Sequence, residues 1–424
     1  MSTPSASLPR AKVTTWRNGL FLVFALCGIG FGSWAARVPA VSDALDLAPD
    51  QVGLLLFGLA VGSILGLLVA GHLVATFGTR AVMTTGLLVG PVGLALASFG
   101  VTTFSSFSIA FLGLAVYGVG ISTCDVAMNV SGAANERALG RTVMPIYHAF
   151  FSIGTMAGAV ISAGAELFDV PLQAHFPILA LAIIITALFA MRLVLPETAV
   201  ADAEAADRAA ARGGGEADVA ADDHGTWRSR LGIWRDPQTL LIGLLVLEMA
   251  FAEGSSSDWL SYAMVHGKDT TETTGAIAFG VFVTAMTLGR LGGVVLLDRF
   301  GRVRVLRATI VCAAVGILLL VFVPVLWVAF VGVALWGFGA SLGFPVGMSA
   351  AADDPRTAAA RVSAVATIGY LAFLVGPPVI GFLTAHFGIL NALLLVLVLV
   401  VLAGVVSGAS REPRSAEPRP AEVG

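Results

Sequence analysis

Twelve apolar runs punctuate the 424-residue chain, each close to the roughly 20 residues that a helix needs to cross a hydrocarbon layer. They fall near 17–37, 51–75, 82–100, 106–133, 143–166, 173–195, 238–265, 274–297, 305–323, 326–350, 358–385 and 387–408. This leaves few folds. Backbone N–H and C=O groups in lipid have no water to bond, so an open strand edge is excluded and each run must be a helix. Composition agrees. The chain is 57% hydrophobic and 12% charged, against about 25% charged in soluble domains, too little to clothe a water-soluble globule. The expected fold is all-α and integral to the lipid bilayer, with twelve transmembrane helices.

The basic residues orient it. With the N-terminus in the cytoplasm, 21 of the 24 Lys and Arg fall on the cytoplasmic side. Arg37 and Lys268 fall outside, and Arg290 lies within a span. An odd error in the span count would scramble this alternation, so the asymmetry predicts twelve spans and cytoplasmic termini. Arg10, Lys12 and Arg17 imitate the start of a signal peptide, but the many later spans make the first run a retained anchor. Scarce Lys with abundant Arg, Ala and Gly is the bias of a GC-rich bacterial genome. The expected location is therefore the bacterial cytoplasmic (inner) membrane.

The chain divides into an N-terminal tail (1–16), a six-helix bundle (17–195), a linker (196–237), a second six-helix bundle (238–408) and a C-terminal tail (409–424). The linker is rich in Ala, Asp and Glu, contains Gly213-Gly214-Gly215 and has no hydrophobic period, which predicts a flexible cytoplasmic segment. The bundles repeat each other. Ser63 to Gly78, "SILGLLVAGHLVATFG", matches Met286 to Gly301, "MTLGRLGGVVLLDRFG", at six of sixteen positions. "AVYGVGIS" (115–122) matches "ALWGFGAS" (334–341) at four of eight. Both pairs join spans six apart, as a duplicated six-helix unit requires.

The twelve spans, the long central loop and "DRFGR" (298–302) resemble the major facilitator superfamily. Asp298, Arg299, Gly301 and Arg302 match its signature loop, with the leading glycine displaced to Gly293. The first-half copy keeps Gly71, Gly78 and Arg80 but has Ala75 and Thr76 where the family has Asp and Arg. "RVPAVSDALDLAPDQVG" (37–53), "MPIYHAFFSIGTMAGA" (144–159), "AEGSSSDW" (252–259) and "GPPVIG" (376–381) are similar to the sugar-permease branch near fucose permease. The resemblance implies two six-helix bundles rocking about a central cavity. Spans one, four, seven and ten would line it, with the "DRFGR" arginines and Arg80 near a cytoplasmic gate. Asp298 would engage a partner in one state and release it in the other.

Charges inside a membrane are costly and mark function by default. Asp125, His148, Glu248, Glu253, Asp258 and Arg290 all fall in spans four, five, seven and eight, and none in the centres of three, six, nine and twelve. In span four, Gly118, Ser122, Asp125, Asn129 and Gly132 recur at 4, 3, 4, 3 spacing and share one helix face. That stripe is either a cavity wall, with Asp125 carrying a proton or substrate and Asn129 reading a hydroxyl, or a helix seam with Asp125 paired to Arg290. In span seven, Glu253 and Ser257 share a face, and Gly254 with three serines predicts a local break. Glu248 faces elsewhere. Asp258 is a site acid or a solvated acid at the outer mouth, and Trp259 a stacking ring or an interfacial anchor. His148 is a proton relay or a packing residue. Trp34 and Arg37 close span one, with Arg37 binding an anion or snorkelling. Pro345 and Pro378 predict bends in spans ten and eleven.

Other chemistry is missing from the sequence. There is no phosphate-binding G-x-x-x-x-G-K-[ST] loop, no metal-ligand spacing around the three cysteines, no hydrolase nucleophile setting and no basic patch for nucleic acid. The expectation is a monomeric secondary transporter, not an enzyme, with no cofactor or metal. It would move a small polar solute, such as a sugar, coupled to protons by alternating access. An exporter of drugs or metabolites and a non-transporting membrane sensor are the alternatives.

Overall fold

The computed structural model describes residues 9–141, 143–195, 233–353 and 357–411. Most of the expected linker and the outer parts of both tails lie outside the described residues. The helices are α1 (Arg10–Ala36), α2 (Val38–Ala44), α3 (Pro49–Phe77), α4 (Thr79–Thr102), α5 (Phe107–Leu139), α6 (Met144–Leu167) and α7 (Leu172–Leu193) in the first half. The second half holds α8 (Pro237–Tyr262), α9 (Glu272–Phe300), α10 (Arg302–Phe322), α11 (Leu326–Ala340), α12 (Gly343–Ala351), α13 (Ala358–Phe387) and α14 (Ile389–Val406). Among the described residues this makes twelve membrane-spanning helices, because α2 is too short to cross and α11 with α12 makes one broken span.

Three local features depart from expectation. Helix α1 begins at Arg10, inside the expected tail, because Val13 and Trp16 are buried and the Trp16 indole donates to Ser131 Oγ at 3.0 Å. The break predicted near Gly254 is absent. Ser256 and Ser257 donate their hydroxyls to the Glu253 carbonyl at 2.7 and 3.3 Å, so the helix satisfies them itself and α8 runs on. The irregularity comes later, as a π-turn at Ala263–Gly267. Pro345 sits in the first turn of α12 beside a true break, whereas Pro377 and Pro378 lie inside a continuous α13. A proline is tolerated in a first turn, where its missing N–H costs nothing.

The two halves repeat in their packing. α1 packs on α6 as α8 packs on α13; α4 on α7 as α10 on α14; α3 on α5 as α9 on α11; α4 on α5 as α10 on α11. The junctions agree as well. Gly78 (φ 84°, ψ 157°) and Gly301 (φ 75°, ψ 159°) start α4 and α10 with the same left-sided backbone, which an L side chain rarely adopts.

Lipid tails are as apolar as leucine, so these helices hold together by close packing and interhelical hydrogen bonds. On the α1–α6 seam, Gly28 and Gly32 face Gly154 and Gly158, and each would press a Cβ into a carbonyl or amide of the other helix. Gly32→Leu is therefore expected to cost at least about 1–3 kcal/mol through overpacking. Gly164→Ala, where a Cβ meets nothing, should leave thermal unfolding in detergent unchanged or raise it slightly.

Candidate functional site

The halves meet on one side and part on the other. Near the Arg-poor side, α3 packs on α13, with Gly53 against Pro377 and Gly381, and α6 packs on α9. There Asp43 of α2 pairs with His266 of the π-turn, Nε2 to Oδ1 at 3.2 Å, bridging the halves. Toward the Arg-rich side a cavity of about 620 Å³ opens, lined by Pro145 and His148 of α6, Leu297 of α9 and Met348 of α12 among others.

Two chambers share Tyr370 and Phe373 of α13 as a dividing wall. The first, of about 270 Å³, is lined by Asp125 and Ser122 (α5), Ser257 and Asp258 (α8), Ser63 (α3) and Phe31 (α1), with apolar residues of α3 and α13. The second is the larger cavity and holds Glu253, Arg290, Thr287 and His148.

The α5 stripe divides its labour. Gly118 packs against Leu59 and Ser63, and Gly132 against Tyr147 and Met144, so its ends are seams. Ser122 and Asp125 at its centre face the chamber. Asn129 spends its amide on Asp125, donating to the backbone O at 2.8 Å and to Oδ1 at 3.2 Å, and does not line the chamber. It thereby orients the acid.

Arg290 does not pair with Asp125. Its Nη2 sits 2.9 and 3.0 Å from the two Glu253 oxygens, and its Nε donates to Ser341 O at 3.3 Å. Position decides this: Glu253 and Arg290 share the second chamber, while Asp125 lies in the first. Asp125 thus faces a chamber shared with Asp258, not Glu253. The pair is one-fifth to one-third exposed to the cavity, so breaking it strands a poorly solvated charge. Glu253→Gln or Arg290→Met alone is expected to cost about 1–3 kcal/mol. The double neutral variant should unfold closer to wild type, as read by thermal unfolding in detergent.

Other expectations are corrected by burial. Glu248 is fully buried in the second half, with neither oxygen hydrogen-bonded, and lines neither chamber. Trp259 is also fully buried and packs edge-on against Tyr262, so it neither stacks on a ligand nor anchors at an interface. Trp34 is buried beside Phe176. Arg37 is buried, ion-paired to Glu166 and donating to Val170 O at 3.2 Å, which ties α1 to the α6–α7 turn. It is neither an open anion site nor a snorkelling cap. Desolvation holds its guanidinium below the usual arginine range. His148 is exposed in the cavity, with its ring edge toward Phe24.

At the signature loop, Arg302 pairs with Asp353 at 2.7 Å and donates to Ser349 Oγ at 3.0 Å. It therefore clamps α10 to α12 within one half. Asp298 and Arg299 are exposed, Arg299 lies over the Phe300 ring, and Arg80 is half-buried at the start of α4.

Several important residues had no strong sequence signal. Tyr370 and Phe373 lie in a span whose one Lys, Arg, Asp or Glu is Arg361 near its start, so no charge marks their position. The Asp43–His266 pair joins positions over 200 residues apart, with no periodicity to connect them. The Glu136 carboxylate accepts from the Val143 and Met144 N–H groups at 2.6 and 2.7 Å, capping α6, a role that no sequence signal pointed to.

Two pseudo-symmetric six-helix halves around a chamber with polar groups at mid-helix define a membrane carrier. The chain belongs to the major facilitator superfamily, whose model matches residues 20–293 and 251–424. An MFS-type transporter of Yersinia pestis is 32% identical over 382 residues, covering 88% of this chain and 92% of that one. The fold resembles the nucleoside transporter NupG, at TM-score 0.68 and 15% identity, over 94% of this chain and 98% of that one. It also resembles a variant of the E. coli fucose:proton symporter FucP, at TM-score 0.57 and 17% identity, over 95% of this chain and 100% of that one.

Proposed function

We propose that this transporter moves a small polar solute through the membrane by alternating access, driven by protons. The observation that carries the proposal is the chamber between the halves, closed toward the Arg-poor side and lined by Asp125 and Asp258. Acids are expensive inside a membrane and persist there where they bind ions or substrate. If the charged and neutral forms of such an acid favour different arrangements of the halves, proton binding biases the rocking. The Arg-rich face is the cytoplasmic one by the positive-inside rule, so the halves stand in an inward-facing arrangement, with both termini inside a bacterial inner membrane.

Serine hydroxyls, carboxylates and a tyrosine suit hydroxylated solutes, and the fold likeness to a fucose:proton symporter and a nucleoside transporter favours that class. The test is ligand-stabilisation screening of the purified protein, followed by flux in proteoliposomes with and without a pH gradient. Gradient-driven accumulation of a stabilising solute is expected. Flux indifferent to the gradient would remove the proton from the mechanism, and a protein with no flux of any stabilising ligand would remove transport.

A further inference from the structure

The two chambers differ in charge. The larger one contains the cation Arg290, but both Glu253 oxygens already lie against it, so this chamber is close to neutral. The smaller one holds Asp125 and Asp258 and no Lys, Arg or His in its lining. Among the described residues, Asp258 receives no hydrogen bond and no ion pair, and Asp125 is met only by the Asn129 amide. An anion would meet repulsion there. A neutral solute would bring no charge to match the two carboxylates. A protonated amine supplies what the chamber lacks: positive charge and up to three donors on one atom. Phe31, Phe373 and the Tyr370 ring complete the setting, since aromatic faces attract cations and cover the apolar side of a small ring.

From this charge balance we infer that the solute carries a primary amine, paired with Asp258, on a small hydroxylated frame that the chamber serines contact. The volume of about 270 Å³ lies just below the roughly 300–1,000 Å³ of ligand pockets and suits a small frame. With two acids present, one can take the coupling proton while the other keeps the amine. The inference deepens the transport reading by naming its substrate class, and it rests on that reading only in treating the chamber as the substrate's seat.

The experiment measures binding, not flux, on purified full-length protein at pH 7.5 without a gradient. Calorimetry and thermal shift compare matched sets of solutes: glucosamine, glucose and N-acetylglucosamine first, then other small cyclic and linear primary amines with their hydroxyl and acetylated counterparts. The expected result is that amines bind at least about tenfold more tightly than their counterparts, the scale of one charge-assisted hydrogen bond. Asp258→Asn should erase this preference, and Asp258→Glu should keep part of it. Should Asp258→Asn fail to fold, the matched sets on wild type decide by themselves. The inference is overturned if counterparts bind as well as the amines, if no amine in the panel binds, or if a folded Asp258→Asn keeps the preference. A clear amine preference without gradient-driven flux would sink proton coupling and leave this inference standing. Gradient-driven flux of a neutral solute, with amines ignored, would do the reverse.

Discussion

Proteoliposomes containing Asp125→Asn are expected to exchange solute but not to accumulate it against a pH gradient. One pH unit per coupled proton is worth about 1.4 kcal/mol, or about tenfold accumulation. Wild type should approach that ratio, and the variant should fall to about onefold. The geometry supports this split. Asp125 lines the chamber and Asn129 fixes its rotamer, while neither the helix nor the α3 seam depends on its charge. The aligned position in the second half is Phe344, so the repeat unit folds without an acid there. Accumulation that survives in Asp125→Asn but collapses in Glu253→Gln would move the carrier to the other chamber. In that case the proton would have to break the Glu253–Arg290 pair to bind.

Locking Asp43 to His266 is expected to stop transport almost completely. The two side chains lie 3.2 Å apart across the halves, on the side that must open for the chamber to reach the opposite face. The chain offers a clean background, since Cys27, Cys124 and Cys312 are free and can be replaced. Cysteines at 43 and 266, joined by a short reducible cross-linker, should abolish flux while leaving ligand binding from the Arg-rich side intact. Reductant should restore the flux. Full-rate transport by the cross-linked protein would show that the Asp43–His266 contact is not part of the gate that opens.

How far the fold was legible depended on the scale of the signal. Span number and the six-span repeat were written in runs of about twenty residues and in the placement of arginines, which survive any local misjudgement. Local breaks were less legible. Gly254 and its serines looked like an interruption, yet α8 absorbs them because a serine can return its hydroxyl to its own helix. Pro345 and Pro378 looked alike, but only the break before Pro345 interrupts a span, since a helix that begins there loses no hydrogen bond.

The candidate site divided in the same way. Sequence spacing brought Ser122, Asp125 and Asn129 to one face, and helical geometry alone required it. It also separated Glu248 from Glu253. Which acid met which partner was out of reach. Arg290 was as plausible a mate for Asp125 as for Glu253 until the tilt and depth of α5, α8 and α9 set the pairs. Trp259, Trp34 and Arg37 looked like mouth residues because they lie near span ends. In the fold they are buried, Trp34 beside Phe176, Arg37 against Glu166 and Val170, and Trp259 against Tyr262.

The sequence by itself determined that the chain crosses the membrane twelve times, that its basic residues collect on one face and that its two halves are copies. Each follows from what lipid requires of any segment, regardless of its neighbours. Only the tertiary structure decided that Asp125 shares a chamber with Asp258, that Arg290 belongs to Glu253 and that Asp43 meets His266. A charge in a low-dielectric interior takes its meaning from groups within a few ångströms, and those groups come from helices far apart in the chain.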